Sequence, residues 1–373
     1  MTHKYRTWIE ISTSAVRKNY QAFRKFIGKK TGLLAVVKSN AYGHELVGFA
    51  KIMSALGADW LGVDSITEAR TLRRQGIRTP ILVQGYTLPA LFPMAAKKNI
   101  TLTISTLESL KKLVLLKKPA DIHLKIETGM NRQGLGQEDL KKALALLKKN
   151  VATINFTGAY THLASAKKPD ATHDTEKQLQ RFEKSVGLIN SHGFYPMLHA
   201  CATAGVLNYP KAHFDMVRVG IGLYGLWPSP ETRIEHEKSL KLEPVLTWKA
   251  IISELKWVEK GEKVGYDNTE TLSSRTRLAI IPLGYWHGYW RAFSSKAHVL
   301  VCGKRCRVVG RVSMDMIVVD VTKVTAVKVG SHAVLLGGQG KEKITAEELA
   351  KLAGTTNYEI VTRLNPLIKK IYI

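Results

Sequence analysis

The sequence is short of cysteine, short of acid and without any long apolar run. Its three cysteines, Cys201, Cys302 and Cys306, form no even, regularly spaced framework. That excludes a disulfide-built fold and suits a reducing cytosol. Cys302 and Cys306 have no second Cys or His pair nearby, so no zinc site, and no metal, is expected. No stretch of about 18 apolar residues occurs, so no membrane-spanning segment and no membrane partner is expected. The start, Met1 to Thr7, lacks the apolar core of a signal peptide, which makes a cytoplasmic location the expectation. Acidic residues number 30 against 56 Lys and Arg, a net charge of +26. Such an excess is ordinary in nucleic-acid binders. Here the lysines come as pairs along predicted helices: Lys97-Lys98, Lys111-Lys112, Lys117-Lys118, Lys141-Lys142 and Lys148-Lys149. No longer basic run, aromatic-interleaved stripe or zinc-finger spacing accompanies them. They read as solvated helix faces that steer anionic ligands, and no nucleic-acid partner is expected.

What is present points to two domains. The 373 residues exceed one ordinary domain, and 45% hydrophobic content supplies a sizeable core. Short apolar strands are predicted at 33–38, 60–63, 80–84, 101–104, 121–126, 155–162, 196–200 and 214–219. Helical patterns at 46–57, 66–75, 105–117, 137–149 and 173–193 lie between them. Eight strands, with helical crossovers between parallel neighbours, match the arithmetic of a closed (β/α)8 TIM-type barrel. An open doubly wound sheet is the alternative. Beyond about residue 240 the pattern changes to strands with Gly-rich turns, at 245–257, 263–266, 278–283, 297–302, 306–312, 316–320 and 331–336. One clear helix follows at 345–353. The expected organisation is therefore a barrel over 1–240 and a mainly-β domain over 241–373, with the boundary in the polar stretch from Pro228 to Ser239.

Lys38 ends the apolar run Leu33-Leu34-Ala35-Val36-Val37 and precedes the small and polar residues Ser39-Asn40-Ala41-Tyr42-Gly43-His44. An ammonium held at the edge of a dry strand end is disfavoured by desolvation, giving an amine usable as nucleophile or base. The alternative is a lysine that snorkels to solvent. Catalytic groups of a parallel barrel sit at the C-terminal strand ends. Those ends carry Lys38, Lys125, His162 and Arg218, three of them basic, so an anionic, phosphate-bearing partner is implied. Gly220-Ile221-Gly222-Leu223-Tyr224-Gly225 satisfies G-x-G-x-x-G after a strand, but Leu226-Trp227-Pro228-Ser229-Pro230 opens no helix where a dinucleotide fold needs one. These glycines are better read as letting backbone N–H groups approach a phosphate after the eighth strand.

Val37-Lys38-Ser39-Asn40-Ala41-Tyr42-Gly43-His44 resembles the pyridoxal phosphate lysine signature of the alanine racemase family. The resemblance continues at Met130, Arg132 and Gly134, Tyr160-Thr161-His162, Met216 to Ile221, Val264-Gly265-Tyr266, Gly284-Tyr285, Gly310 to Asp315, and Asn357-Tyr358-Glu359. It implies a pyridoxal 5′-phosphate enzyme that interconverts L- and D-alanine and supplies D-alanine for peptidoglycan. It also implies a homodimer with shared active sites. Lys38 would hold the cofactor and serve the D-enantiomer. Tyr266 of the partner subunit would serve the L-enantiomer, assisted by His162 and Arg218. Arg218 would also face the pyridine nitrogen, while Tyr42, Thr203, Gly220, Ile221 and Tyr358 would bind the phosphate. Arg132, Met314, Tyr285 and Asp315 would meet the substrate, and Lys125 would be carbamylated and pair with Arg132.

The chain departs from the family pattern at Glu45, Ala202, Thr203, Lys167, Trp286 and His287. The changes read as a bulkier, more basic corridor that leaves alanine as the preferred substrate. A broad-specificity racemase shares every catalytic residue. A pyridoxal phosphate carrier would lack the β domain and Tyr266, and a related decarboxylase would place a carboxylate opposite the pyridine nitrogen instead of Arg218.

Overall fold

A computed structural model describes residues 4–116, 118–167 and 172–373, and of Thr172 only the backbone. The chain forms two compact units: Ala15–Ala41 with Leu46–Glu243, and Met1–Ser14 with Tyr42–Glu45 and Pro244–Ile373.

β1 (Thr7–Ile11) belongs to the second of these. The first is built on β2 (Gly32–Val36), β3 (Trp60–Val63), β4 (Ile81–Val83), β5 (Thr101–Ile104), β6 (Ala120–Lys125), β7 (Ile154–Tyr160), β8 (Met197–His199) and β9 (Met216–Val219). They pair in parallel in the order β8-β7-β6-β5-β4-β3-β2-β9. The remaining seam is bridged where Arg218 N–H donates to Cys201 O at 2.9 Å and Asp215 N–H to Leu198 O at 3.1 Å. The result is a near-closed (β/α)8 barrel, not the open doubly wound sheet. Its strands read as continuous apolar runs because both faces are covered; Leu33, Leu34, Ala35, Leu61, Ile81 and Leu82 are all fully buried.

α1 (Thr13–Ile27) leads into β2, and the crossover helices between successive barrel strands are α2 (Leu46–Ala55), α3 (Ile66–Arg74), α4 (Phe92–Lys97), α5 (Leu107–Val114), α6 (Gln137–Lys148), α7 (Thr172–Ser191) and α8 (Thr203–Asn208). α3 starts in a capping box: Glu68 N–H donates to Ser65 Oγ at 3.2 Å, and the Glu68 carboxylate accepts from Ser65 N–H. Two expectations shift here. The predicted helix 105–117 is shorter, and Lys117, at its predicted end and in a lysine pair, lies outside the described residues with Met1 to His3. The Gly220–Gly225 motif forms a single 3-10 turn over Ile221–Tyr224 and no helix.

In the second unit β10 (Leu246–Ile251) pairs antiparallel with β1, which pairs parallel with β20 (Lys369–Tyr372). The predicted strand 245–257 is two strands, β10 and β11 (Glu254–Val258), with Ile252 and Ser253 between them. β12 (Lys263–Val264) and β13 (Glu270–Thr271) form a separate ribbon. β14 (Thr276–Ile281), β15 (His298–Val301), β16 (Lys304–Val309), β17 (Ile317–Asp320), β18 (His332–Gln339) and β19 (Glu342–Ile344) complete the sheet. A second helix, Asn357–Thr362, follows the expected one at Ala346–Ala353. The sequence reading gave 1–240 to the barrel, whereas β1 takes its hydrogen bonds in this other sheet. Five residues with no turn signal of their own do not announce which sheet will receive them.

Replacing Ser65 with Ala removes the acceptor at the start of α3 and is expected to cost about 1 kcal/mol, read as a lower midpoint in chemical unfolding.

Candidate active site

The C-terminal ends of the barrel strands gather the predicted groups. β2 stops at Val36, and after Val37 and Lys38 the chain turns left-handed, with φ of 54° at Ser39, 56° at Asn40, 51° at Ala41 and 51° at Tyr42. L-residues resist this conformation at about 1–2 kcal/mol each, so the turn must be held by its surroundings. Ala41 N–H donates to Val37 O at 2.9 Å and Asn40 N–H to Glu68 Oε1 at 3.2 Å, while Asn40 Oδ1 accepts from Leu46 N–H at 2.9 Å. The Lys38 side chain that emerges is 37% exposed, with Nζ 3.8 Å from Asp64 Oδ1. The dry strand-end setting expected for it is therefore corrected: the amine stands at an open rim beside a carboxylate.

Arg218, on β9, is buried and has no carboxylate partner among the described residues. Nη1 donates to His199 Nδ1 at 2.8 Å and His199 O at 3.2 Å. Nη2 donates to Thr161 O and Ala200 O, both at 2.8 Å, and to His162 Nδ1 at 3.1 Å. Burial lowers its pKa to about 10, so it stays charged at neutral pH. A guanidinium only donates, so both imidazoles must accept at Nδ1 and carry their proton on Nε2. His199 Nε2 then donates to His123 Nδ1 at 3.0 Å, leaving the His123 proton on Nε2, which has no partner among the described residues. Burial first, and the Arg218 charge second, hold His162 and His199 well below the usual imidazole range and His123 at about 3. The Tyr160 ring stacks on His199 at 4.6 Å and lies 5.1 Å from the Arg218 guanidinium. Its hydroxyl meets Thr103 Oγ1 at 2.9 Å, and burial raises its pKa to about 12.

Lys125 closes β6, buried, with Nζ 3.5 Å from Gln133 Oε1. Desolvation, then the charges of Arg132, Arg218 and Lys38, lower it to about 8. Thr203 Oγ1 accepts from Gly220 N–H at 3.0 Å, which fixes the turn carrying buried Ile221.

The remaining predicted residues lie in the second unit. Tyr266 follows Gly265 at φ +82° and is 66% exposed; Asp267 beside it pairs with Arg311 at 2.5 Å. A side chain at Gly284 would lie 2.0 Å from Ser313 O, so only glycine lets the two loops touch. Tyr285 N–H then donates to Ser313 O at 3.0 Å and Trp286 N–H to Met314 O at 3.1 Å. This contact leaves Tyr285, Trp286, Met314 and Met316 exposed. Tyr42 and Tyr358 face each other with centroids 6.2 Å apart, and burial raises both hydroxyls, Tyr42 to about 12.

The corridor reading needs one correction. His287 is buried, with Nδ1 accepting from Gly284 N–H at 3.2 Å and standing 3.8 Å from Asp315 Oδ1. It supports the turn from beneath, while Trp286 and Lys167 are the exposed substitutions. His123, Tyr160 and His199 were not singled out as functional groups in their own right. Their signal was a titratable or hydroxyl-bearing residue inside an otherwise apolar strand.

The alanine racemase N-terminal domain family matches residues 11–228, and the C-terminal domain family matches residues 245–372. An alanine racemase from Symbiobacterium thermophilum is 40% identical over 98% of this chain and 97% of its own length. One from Leptospira interrogans is 37% identical over 100% and 97%. Among solved structures, alanine racemase from Bacillus anthracis with bound L-Ala-P superposes with a TM-score of 0.94 at 33% identity, covering 100% of this chain and 96% of that one. A histidine racemase from Leuconostoc mesenteroides subsp. sake reaches 0.90 at 30%, covering 99% and 98%.

The neutral imidazoles set a pH dependence. Their folded pKa values lie below the unfolded value of about 6.5, so the unfolded chain binds more protons and stability falls as pH drops. Chemical unfolding followed from pH 6.5 to 5 should lose about 1.4 kcal/mol per pH unit for each such histidine. A flat profile would mean that these rings are protonated in the folded chain.

Proposed function

Because the chain belongs to the alanine racemase family, we propose that it interconverts L- and D-alanine with pyridoxal 5′-phosphate, between Lys38 and Tyr266 of the partner subunit. The observation that carries this reading is the Arg218 guanidinium, whose Nη groups are fully engaged while Nε has no hydrogen bond among the described residues. That leaves one always-charged donor for a ring nitrogen. The cluster of Lys38, Lys125, Arg132 and Arg218, with Asp64 and Glu127 as nearby carboxylates, fits an anionic cofactor. Lys38 would hold it covalently, and Tyr42, Thr203, Gly220, Ile221 and Tyr358 would bind its phosphate. Once bound, it would supply the conjugated system that takes up charge as the substrate's α-hydrogen leaves.

The residues divide the rest of the work. Racemisation needs a base on each face of a planar carbon, and one group cannot reach both. Lys38 serves the D face and Tyr266 the L face. His162, accepting from Arg218 at Nδ1, keeps Nε2 for the tyrosine hydroxyl. Arg218 cannot give up its proton at neutral pH, so it would keep a ring nitrogen placed against it unprotonated, and the cofactor would then supply a weak electron sink, which suits racemisation over side reactions. Arg132 and the Met314 backbone take the substrate carboxylate, with Tyr285 and Asp315 beside them. Lys125, lowered to about 8, is partly free amine at neutral pH and can add carbon dioxide with loss of a proton. The carbamate would pair with Arg132 where an ammonium would repel it.

The exposed Tyr266, Tyr285, Trp286 and Met314 support a homodimer whose sites are completed across subunits. The unpaired cysteines support a cytoplasmic setting, and D-alanine for peptidoglycan is the role that follows. Likeness to a histidine racemase supports a second reading, a broader substrate range; faster turnover of histidine, serine, lysine or arginine than of alanine would establish it.

In deuterated water, cofactor-loaded wild type should exchange the α-hydrogen of both alanine enantiomers while racemising, and Lys38→Ala and Tyr266→Phe should each abolish racemisation. Bound cofactor without exchange in wild type would instead indicate a carrier. Dissociating and remixing the two inactive variants should restore about a quarter of wild-type activity, because half the random dimers hold one intact site. No recovery would place both bases in one chain.

A further inference from the structure

The parallel barrel has a second end, where the strands begin and the crossover helices finish. Exposed basic residues stand in the loops there: Lys30 before β2, Arg78 before β4, Lys98 before β5, Lys118 before β6, Lys149 before β7 and Lys211 before β9. The carboxylates of these loops are already engaged. Asp59 Oδ2 accepts from Arg24 Nη2 at 2.5 Å and Leu33 N–H at 2.7 Å, and Asp215 Oδ2 accepts from Leu198 N–H at 2.7 Å. Asp121, just inside β6, accepts from Asn155 Nδ2 at 2.9 Å. Lysines that are scattered along the sequence thus meet at one end of the fold.

A second observation comes from side chains that water should not favour. Leu115 is 77% exposed, Val151 64% and Tyr195 81%, and they occupy three successive loops, before β6, β7 and β8. An open cleft of about 510 Å³ is lined by Pro93, Met94, Ala96, Lys97, Lys118 and Pro119, the last two in the loop that also carries Leu115. We propose that this end of the barrel, opposite the catalytic end, docks on an anionic lipid bilayer. Lysines and arginine meet the headgroup phosphates, and Leu115, Val151 and Tyr195 enter the boundary with the acyl chains. A nucleic acid would match the charge but offers no apolar phase for leucine and valine. No described helix is long and apolar enough to cross a membrane, so the contact is peripheral and replaces the expectation of no membrane partner, which rested on the lack of a spanning segment. The inference goes beyond the racemase reading and does not depend on it.

The test is co-sedimentation of the full chain with vesicles of roughly one-third phosphatidylglycerol in phosphatidylcholine, compared with pure phosphatidylcholine. Wild type should bind only the anionic vesicles and should be released as salt shortens the screening length from about 10 Å to about 3 Å. Lys97→Glu/Lys118→Glu/Lys149→Glu and Leu115→Ser/Val151→Ser/Tyr195→Ser should each reduce binding at least about tenfold. Both variants should keep the wild-type circular dichroism spectrum and unfolding midpoint, which reports that they fold, and single Tyr195→Ser serves if the triple variant does not. Failure of wild type to bind anionic vesicles overturns the proposal. So does vesicle binding that survives the apolar substitutions, or tighter binding to duplex DNA or RNA that ignores them.

Discussion

Arg218 keeps its charge inside a barrel end where no described carboxylate meets it, and the partners that stabilise it are neutral acceptors held in place. Those acceptors are the carbonyls of Thr161, His199 and Ala200 and the imidazoles of His162 and His199. The carbonyls stand at and just beyond the ends of β7 and β8, and Arg218 itself is on β9, so one side chain ties the closing seam together. It also dictates protonation. An obligatory donor forces each imidazole to accept, the proton passes to the far ring nitrogen, and the relay ends at His123, whose Nε2 has no partner among the described residues.

Strain is concentrated beside Lys38. Four non-glycine residues in succession adopt positive φ directly after Lys38, and such geometry persists only where neighbours over-determine it. Glu68 does this from α3. Its carboxylate serves the helix cap and also receives Asn40 N–H, so the start of a crossover helix and the turn beside Lys38 are one hydrogen-bonded assembly. Gly43 continues the turn at φ +83°, where an added Cβ would lie 2.0 Å from Val361 O. Residue identity in this signature is therefore dictated by backbone shape as much as by chemistry.

Much of this was legible in the sequence. Buried parallel strands announce themselves as short apolar runs, and amphipathic stretches between them give crossover helices, so the eight-strand arithmetic needed no structure. Chemistry-bearing residues at strand ends were legible for the same reason. Other features depend on long-range pairing that no local pattern encodes. β1 looks like any short strand until β10 and β20 receive it. His123 and His199 look like interruptions of apolar strands until Arg218 lies between the rings and the backbone. His287 reads as bulk in a corridor, but the Gly284 turn points it inward, where its ring nitrogen accepts a backbone N–H.

Charge shows most clearly why sequence distance misleads. Pairs of lysines spaced along a chain look like independent solvated helix faces, because on any one helix that is what they are. A parallel barrel reverses the conclusion, since every crossover helix finishes at the same end. Residues separated by some thirty positions in sequence become neighbours around one rim, by the arithmetic of a repeating βα unit. The same parallelism sends every strand's C-terminus to the opposite rim, where Lys38, Lys125 and Arg218 converge. One topological rule thus makes two basic ends with different chemistry. At the rim that gathers Lys38, Lys125 and Arg218 the charges are buried or partly buried, held by carbonyls and imidazoles, and suited to a small anion. At the other they are exposed, unpaired by the local carboxylates and interleaved with Leu115, Val151 and Tyr195. Burial, not the count of lysines, separates a binding site for a molecule from a surface for a phase.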